Sequence, residues 1–288
     1  MIGVMRDSPT DPERPTTAPS GSIISVRGAV VSRREDRLVG EEPLEIRVCG
    51  PGQEAVSVAV TMRTPGSETE LATGFLITEG LVTADEVMGF AGGDPAHMAQ
   101  PDNEITVRLR RPFDASTVAG RAFVATASCG ICGKASVDDI AVRCDPLPDG
   151  PVLSRTVLEG LPDQMRDAQR VFQRTGGLHA AALFSPDGAL VELREDIGRH
   201  NALDKVVGAM ALGGRLPLHG LVLLVSGRVS FEIAQKAAVA GAPILAAVSA
   251  PSDLAVVTAA RLGMTLVGFL RGDGFNVYSG AERLDLGS

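Results

Sequence analysis

Short aliphatic runs alternate with helical segments in the C-terminal part of the chain. "GLVLLVSG", "PILAAVS" and "TLVGFL" are continuous apolar runs of the kind that buried parallel strands show. They are separated by "FEIAQKAAVAG" and by a segment from Asp253 to Leu262, with Ser252 as its N-cap and Gly263 as its end. Short connections in such an alternation predict a βαβαβ unit with right-handed crossovers. The predicted fold class is therefore α/β, with a mostly parallel C-terminal sheet.

A hairpin and a helix are predicted just before this unit. "GLHAAALFS" and "ALVELREDIG" are two β-like runs separated by the turn Pro186-Asp187-Gly188. From His200 to Leu212 the apolar residues recur at helical spacing, and Gly213 ends the pattern. The apolar positions of this helix are Leu203, Val206, Val207 and Met210. Its opposite face carries Asn201, Asp204 and Lys205.

The N-terminal part has a different pattern. "EEPLEIRVCG" and "EAVSVAVTMRT" alternate apolar and polar residues, and "NEITVRLRR" follows later. Between them, "SETELATGFLITEGLV" predicts a helix with Ser67 and Glu70 as a capping box. These elements predict a small mixed α/β domain. We therefore expect a disordered Pro-, Ser- and Thr-rich tail at 1–22, the small domain at 23–115 and a second domain at 116–288.

Composition narrows the class of protein. The chain of 288 residues is 44% hydrophobic but only 3% aromatic, so its core must be aliphatic, as in helix-covered parallel sheets. A net charge of −8 argues against general binding of nucleic acid, which requires a basic surface. No apolar run approaches the roughly 20 residues that span a bilayer, and no signal peptide is recognisable. We expect a cytoplasmic protein with reduced thiols.

Three polar segments follow the predicted parallel strands. They are "SGRVS" at 226–230, "SAPSD" at 249–253 and "RGDGF" at 271–275. Ligands of open parallel sheets bind beyond the carboxyl ends of the strands, and helix N-termini there attract anions. Arg228 and Arg271 add guanidinium groups to the same rim. A site for a phosphate-bearing ligand and a set of ordinary solvated loops both stay open.

The pair Cys129–Cys132 in "SCGICGKAS" is the strongest chemical signal in the sequence. A structural zinc site usually needs a second pair, and a zinc deaminase needs a preceding His-x-Glu. A thioredoxin-type site gains from rigidity, whereas Gly130 and Gly133 favour a flexible loop. Such a loop suits a thiol that accepts a group in one place and delivers it in another, with Lys134 favouring the thiolate. Thiol chemistry is preferred, although two unreactive cysteines stay an alternative.

Several long motifs resemble those of the FdhD family, the sulfurtransferases required for maturation of formate dehydrogenase. The motifs are "SCGICGKAS", "TGGLHAA", "REDIGRHNALDKVVG", "SGRVSFEIAQKAAVAGAPILAAVSAPSDLAV" and "GFLRGDGFNVY". The resemblance implies a cytidine-deaminase-like α/β domain without catalytic or permanent metal. It also implies a sulfur relay: a cysteine desulfurase loads a persulfide, and the sulfur passes to a molybdenum cofactor before insertion into the apoenzyme of formate dehydrogenase.

The resemblance further assigns roles to residues of this chain. Cys129 would bear the persulfide and Cys132 would assist it. The cargo, bis(molybdopterin guanine dinucleotide), would bind Phe269, Leu270, Arg271, Gly272, Asp273 and Gly274. "REDIGRHNALDK" is a second candidate wall, in which Arg199 and Lys205 meet phosphates and His200 donates a proton; its alternative is a solvated surface helix. A non-catalytic chaperone for the cofactor is the competing function, a zinc-containing deaminase relic is a third, and a homodimer is the default oligomer.

Overall fold

A computed structural model of the chain describes residues 17–18, 21–93, 101–118, 124–125 and 145–287. Cys129 and Cys132 lie outside these described residues. The N-terminal elements are β1 (Thr17–Ala18), β2 (Ser22–Arg27), β3 (Val30–Glu35), β4 (Leu38–Val39), β5 (Glu42–Cys49), β6 (Val56–Arg63), α1 (Glu68–Thr78), β7 (Val87–Gly92), β8 (Glu104–Leu109) and β9 (Val124–Ala125).

The remaining elements form the larger C-terminal part. They are β10 (Leu153–Ser154), α2 (Arg155–Ala168), α3 (Arg170–Thr175), β11 (His179–Phe184), β12 (Leu190–Asp196), α4 (Arg199–Leu212), β13 (Val222–Val225), α5 (Phe231–Val239), β14 (Ile244–Ala247), α6 (Asp253–Arg261), β15 (Thr265–Arg271), β16 (Gly274–Ser279) and β17 (Leu284–Asp285).

The C-terminal sheet has six strands in the order β12-β11-β13-β14-β15-β16. Its centre, β13-β14-β15, is parallel and is connected through α5 and α6, which confirms the predicted βαβαβ unit. Antiparallel strands extend both edges, where β11 pairs with β13 and β16 pairs with β15. The α/β fold class predicted from the sequence is confirmed.

Burial on both faces explains the continuous apolar runs of the central strands. In β13, Leu223 and Val225 pack into the core shared with α4 and α5, whereas Val222 and Leu224 pack into the core beneath α2. Strand β14 alternates in the same way between the two cores. Since neither face meets water, the alternation of polar residues that marks a half-exposed strand is absent.

The N-terminal sheet has the strand order β7-β8-β5-β6-β9. Strands β5 and β6 form the antiparallel pair predicted around Gly50-Pro51-Gly52, and β8 lies parallel to β5. Helix α1 lies against β8 on one side and against α4 and α5 on the other. The core therefore runs from the small sheet through α1 and α4 to the six-stranded sheet. The predicted limits at 115 and 116 stay a prediction.

Two glycines allow α1 and α4 to touch backbone to backbone. A Cβ atom on Gly74 of α1 would lie 1.8 Å from the carbonyl oxygen of Asp204 in α4. A Cβ atom on Gly208 of α4 would lie 1.8 Å from the carbonyl oxygen of Glu70 in α1. The contact is thus reciprocal, with each helix pressing its glycine onto the backbone of the other. No side chain larger than hydrogen fits at either position.

The polar face of α4 is buried against the N-terminal part, so the prediction of a solvated face is wrong for Asp204 and Lys205. The alternative prediction, that Lys205 meets phosphates, is wrong as well. Lys205 Nζ lies 2.7 Å from Asp196 Oδ2 and donates to the carbonyl oxygen of Thr64 at 2.8 Å. Asp196 also accepts from the amides of Thr64 and Gly198 and from the side chain of Asn201. These bonds leave Lys205 no exposed charge to offer a ligand.

A second buried ion pair involves Asp204, the residue of α4 that directly precedes Lys205. Lys236 of α5 donates to both carboxylate oxygens of Asp204, at 3.0 and 2.9 Å. It also donates to Thr78 Oγ1 and pairs with Glu79 Oε1 at 3.1 Å, which ties α1 to α4 and α5. Burial raises the pKa of Asp204. Burial alone would lower the pKa of Lys236, but the negative charges of Asp204 and Glu79 outweigh this effect and raise it.

The predicted capping box at the start of α1 is wrong. Ser67 has a φ of 60°, in the left-handed region, and its side chain makes no capping hydrogen bond. The carboxylate of Glu70 instead accepts from Arg194 Nε at 2.6 Å and from Nη2 at 2.7 Å. The partner is 124 residues away along the chain, so the local spacing could not show it.

The N-terminal arm carries a hairpin that stands apart from both large sheets. Strands β2 and β3 pair only with each other, and Ile24, Val26 and Val31 are about two-thirds exposed on its outer face. Strand β1 lies inside the predicted tail and pairs with β4. Residues 1–16 lie outside the described part. Val39 of β4 contacts Gly177, which anchors the arm on the C-terminal part.

Replacement of Gly74 by alanine should strongly destabilise the protein. The new methyl group would overlap a backbone carbonyl, so the two helices would have to separate, at a cost of about 3 kcal/mol or more. Urea unfolding at pH 7 measures the free energy of unfolding of Gly74→Ala and Gly208→Ala against wild type.

Gly160→Ala in α2 is the matched control. Its nearest neighbour would be Gln164 Nε2 at 4.0 Å, so alanine there should stabilise the helix by up to about 1 kcal/mol. Equal stability changes at Gly74 and Gly160 would contradict the close helix contact.

Candidate functional site

Backbone hydrogen bonds tie together the three loops at the carboxyl edge of the parallel strands. The amide of Val229 donates to the carbonyl oxygen of Ala250 at 3.2 Å, and the amide of Ser252 donates back to Val229 at 2.9 Å. The amide of Phe269 donates to the carbonyl oxygen of Ser249 at 3.1 Å. These bonds join the predicted rim segments at 226–230 and 249–253 to the end of β15, which leads directly into the segment at 271–275.

The segment from Phe269 to Gly274 forms the end of β15 and the turn into β16. Phe269 has a φ of 54°, and the pairing with β16 shifts register between Gly268 and Arg271. A non-glycine residue in the left-handed region is strained, which is common at ligand-binding segments. Leu270 is buried, whereas Arg271, Gly272, Asp273 and Gly274 are exposed. The turn thus presents one guanidinium group, one carboxylate and two glycine backbones to solvent.

Three arginines lie on this edge without an ion-pair partner among the described residues. Arg228 and Arg271 are exposed, and the guanidinium group of Arg271 lies 5.8 Å from the centre of the Phe269 ring. Arg199 begins α4, and its buried Nε atom has no hydrogen-bond partner. A guanidinium group without a carboxylate favours anions, and the N-termini of α4, α5 and α6 add partial positive charge. The edge is suited to a phosphorylated ligand.

A cavity of about 380 Å³ opens beside Ser226 at this edge. Phe172 lines it with its ring covered by Arg166, whose Cζ lies 4.7 Å from the ring centre. Gln169 also lines it; this side chain is 3% exposed and makes no hydrogen bond within the described ranges. The remaining lining residues are Gly176, Gly177, Leu178 and His179. A side-chain amide on the wall of a cavity offers a donor and an acceptor to a planar polar group.

Two histidines beside Arg199 are held neutral. Burial, followed by the charges of Arg199 and Lys236, lowers the pKa of His200 to about 3. His200 Nε2 lies 3.4 Å from Ser230 Oγ, which links the starts of α4 and α5. Burial and Arg199 also lower the pKa of His179. Gly227 lies between His179 and Arg199. A Cβ atom on Gly227 would be 3.4 Å from His179 Nδ1 and 3.6 Å from Arg199 Cδ.

The structure brings together most of the residues that the sequence places at the rim. Arg271, Arg228 and Arg199 share the carboxyl edge, whereas Lys205 is held inside by Asp196. Sequence analysis missed Gln169 and Phe172, which carry no recognisable motif. The glycines of "TGGLHAA" were the available signal, because Gly176 and Gly177 line the cavity.

The described ranges contain neither a cluster of metal ligands nor a membrane-spanning helix. No group of three His, Cys, Asp or Glu side chains that could hold a metal ion occurs there. No helix in that part of the chain is long and apolar enough to cross a bilayer. Cys129 and Cys132 lie outside these ranges.

Comparison with known proteins supplies the decisive observation. Residues 39–285 match the sequence profile described as the FdhD/NarQ family. The chain belongs to the FdhD/NarQ family. The matched range includes every rim segment described above, together with positions 129 and 132, and it begins after the β2–β3 hairpin.

Individual members of the family are similar over nearly their full length. A Streptomyces avermitilis protein named sulfur carrier protein FdhD is 50% identical over 273 residues, 92% of this chain and 94% of its own. Proteins of the same name from Nocardia farcinica and Sulfurisphaera tokodaii are 51% and 39% identical, and each alignment covers 91% of this chain and 93% and 97% of theirs.

A crystal structure supports the fold independently. It is of a protein from Desulfotalea psychrophila described as a formate dehydrogenase accessory protein, with a TM-score of 0.71. The sequences are 22% identical, and the alignment covers 94% of this chain and all of that one. At this level of identity the likeness establishes the fold alone.

Acid should destabilise the folded protein through His200. The folded pKa of about 3 lies below the ordinary value of 6.5, so the unfolded chain binds a proton as the pH falls and the folded chain does not. Stability from this group is therefore present above pH 6.5 and lost as the pH falls toward 3. Between pH 7 and pH 4.5, the free energy of unfolding should fall by on the order of 2 kcal/mol less in His200→Gln than in wild type. Urea unfolding at the two pH values measures this difference.

The exposed His219 provides the control. His219→Gln makes the same substitution at an exposed position and is the matched variant for comparison. An unchanged pH dependence in His200→Gln would show that this histidine is not held neutral.

Proposed function

We propose that this chain is a sulfur carrier that accepts sulfur on Cys129 as a persulfide and delivers it to a molybdenum cofactor for formate dehydrogenase. The observation that carries the proposal is the family match across residues 39–285, joined to relatives named sulfur carrier protein FdhD at up to 51% identity. The pair Cys129–Cys132 lies inside the matched range and supplies the required thiols.

The loading step conserves atoms and electrons. The Cys129 thiolate attacks the outer sulfur of a persulfide on a cysteine desulfurase, the S–S bond of the donor breaks, and the donor cysteine leaves as a thiol after taking up one proton. Cys129 then carries the outer sulfur at oxidation state zero. Cys132 assists by protecting or resolving the loaded thiol.

The delivery step needs two electrons, because molybdenum takes sulfur as sulfide. A reduced molybdenum(IV) centre of the cargo supplies them and becomes molybdenum(VI), and Cys129 departs as thiolate. The protein contributes position and electrostatics for this step.

The carboxyl edge is the proposed binding surface for the cargo, bis(molybdopterin guanine dinucleotide). Its pyrophosphates suit Arg199, Arg228 and Arg271, which have no ion-pair partner among the described residues. The turn at Gly272 and Gly274 allows close approach of backbone amides. The side chain of Gln169 lines the neighbouring cavity, where its amide suits the edge of a planar base.

The proposal includes partners and a compartment. A cysteine desulfurase donates the sulfur, and the apoenzyme of formate dehydrogenase receives the loaded cofactor. Free thiols and exchange with a desulfurase require a reducing compartment, the cytoplasm. A homodimer is the expected assembly, as for most soluble oligomers.

Cys129→Ala should abolish sulfur loading. Intact-mass spectrometry after incubation with cysteine desulfurase and cysteine should show one added sulfur atom on wild type and none on the variant. Cys49→Ala is the control, because Cys49 lies at the end of β5 in the N-terminal sheet and should load normally. Absence of added sulfur on wild type, with cofactor binding retained, would favour the non-catalytic chaperone instead.

Arg199→Gln should weaken binding of guanosine diphosphate, used as a soluble stand-in for half of the cargo, by at least tenfold in calorimetry. The substitution removes a charge that no described carboxylate neutralises. Arg261→Gln is the matched control, since this exposed arginine ends α6, which runs away from the carboxyl edge. Equal affinity in both variants would refute a role for the edge in nucleotide binding.

A further inference from the structure

The ribbon formed by β2 and β3 leaves one apolar face uncovered. Ile24, Val26 and Val31 lie on this outer face, and their exposed fractions are 63%, 65% and 67%. Among the described residues, β2 and β3 pair only with each other, so no third strand supports them. A ribbon of two strands is only marginally stable in water unless another layer covers its apolar face. A covering layer on the outer face would therefore stabilise the ribbon.

The register of the ribbon decides which residues share the outer face. Residues directly opposite each other in an antiparallel pair point to the same side of it. The pairs on the outer face are Ser22–Glu35, Ile24–Arg33 and Val26–Val31. Ile23 and Ser25 alternate onto the inner face, where they are partly buried, and Arg34 lies on that face as well. The outer face thus combines three aliphatic side chains with one positive and one negative charge.

The two charges make the outer face self-complementary. Arg33 and Glu35 are exposed and stand two residues apart on β3, and neither forms an ion pair with another described residue. Arg34, on the inner face, lies 3.6 Å from Asp36. When two outer faces stack about a two-fold axis with antiparallel strands, Arg33 of each copy lies opposite Glu35 of the other. A second copy of this chain therefore matches the face in apolar character and in charge.

We propose that the outer face of the ribbon is the interface with a second copy of this chain, formed by face-to-face stacking of the two ribbons. Four strands then make a small two-layered sandwich, and the aliphatic side chains between the layers leave water. A contact of this size belongs to the lower end of specific interfaces, so the dimer should be reversible. The inference names the surface of the homodimer expected under the proposed function and does not depend on the sulfur chemistry.

Acidic substitutions on the outer face test the proposal. In analytical ultracentrifugation at tens of micromolar, wild type should sediment as a dimer. Val26→Asp/Val31→Asp places carboxylates inside the apolar contact and should raise the dissociation constant of the dimer at least tenfold. The matched control is Leu254→Asp/Val257→Asp, which makes a similar change at side chains of α6 that are 51% and 62% exposed. This control should sediment like wild type.

A charge exchange tests the proposed pairing across the two-fold axis. Arg33→Glu and Glu35→Arg each place like charges opposite one another, so each variant should dimerise severalfold more weakly than wild type. The double variant Arg33→Glu/Glu35→Arg restores opposite charges and should dimerise like wild type. Thermal unfolding establishes that every variant is folded. Sulfur loading from inorganic polysulfide, followed by intact-mass spectrometry, should be the same in all of them.

Each other outcome has a definite meaning. A monomeric wild type overturns the proposal, and so does a dimer that the outer-face substitutions leave unchanged. Equal weakening by the α6 control overturns it too, because added negative charge alone would then explain the loss. A double charge variant as weak as the single variants refutes the antiparallel stacking. A wild-type dimer that takes up no sulfur refutes the carrier function and leaves the interface standing.

Discussion

The contact between α1 and α4 is the constraint on which the rest of the fold depends. Gly74 and Gly208 bring the two helix backbones together, and the ion pairs of Lys205 and Lys236 close the contact on either side. A buried charge is tolerated only with a partner, so each pair fixes the position of the element that supplies its counter-charge. Since Arg199 and His200 begin α4, the same contact sets where these side chains lie at the carboxyl edge.

Much of the fold could be predicted because local pattern and tertiary environment agree. Strands buried on both faces produce continuous aliphatic runs, and the short loops between them leave few possible topologies. The polar face of α4 was not predictable in this way. Helical periodicity identifies one apolar face, and Asp204 and Lys205 opposite it are ordinarily signs of solvent. The partners that bury them, Asp196 and Lys236, are recognisable only once the elements have packed.

The candidate site was predictable to the extent that it follows from topology. The rule that ligands bind beyond the carboxyl ends of parallel strands located Arg228 and Arg271 correctly on one edge. Gln169 and Phe172 escaped prediction because they come from the junction of α2 and α3, outside the βαβαβ unit. They are recognised by their place on the wall of the cavity and Gln169 also by its burial, neither of which a sequence displays. Cys129 and Cys132, identified by chemistry and resemblance, lie outside the described residues, so that their placement stays a prediction.

The hydrogen bonds that join the three rim loops have a consequence for how such a site can change. They are made by main-chain atoms at Val229, Ala250, Ser249 and Phe269, so they do not depend on the side chains that face solvent at this edge. Substitutions at neighbouring exposed positions, such as Arg228 and Asp273, can alter selectivity while the loop framework persists. The proposed binding surface can therefore change by point mutation within a lineage, without rebuilding the scaffold that presents it.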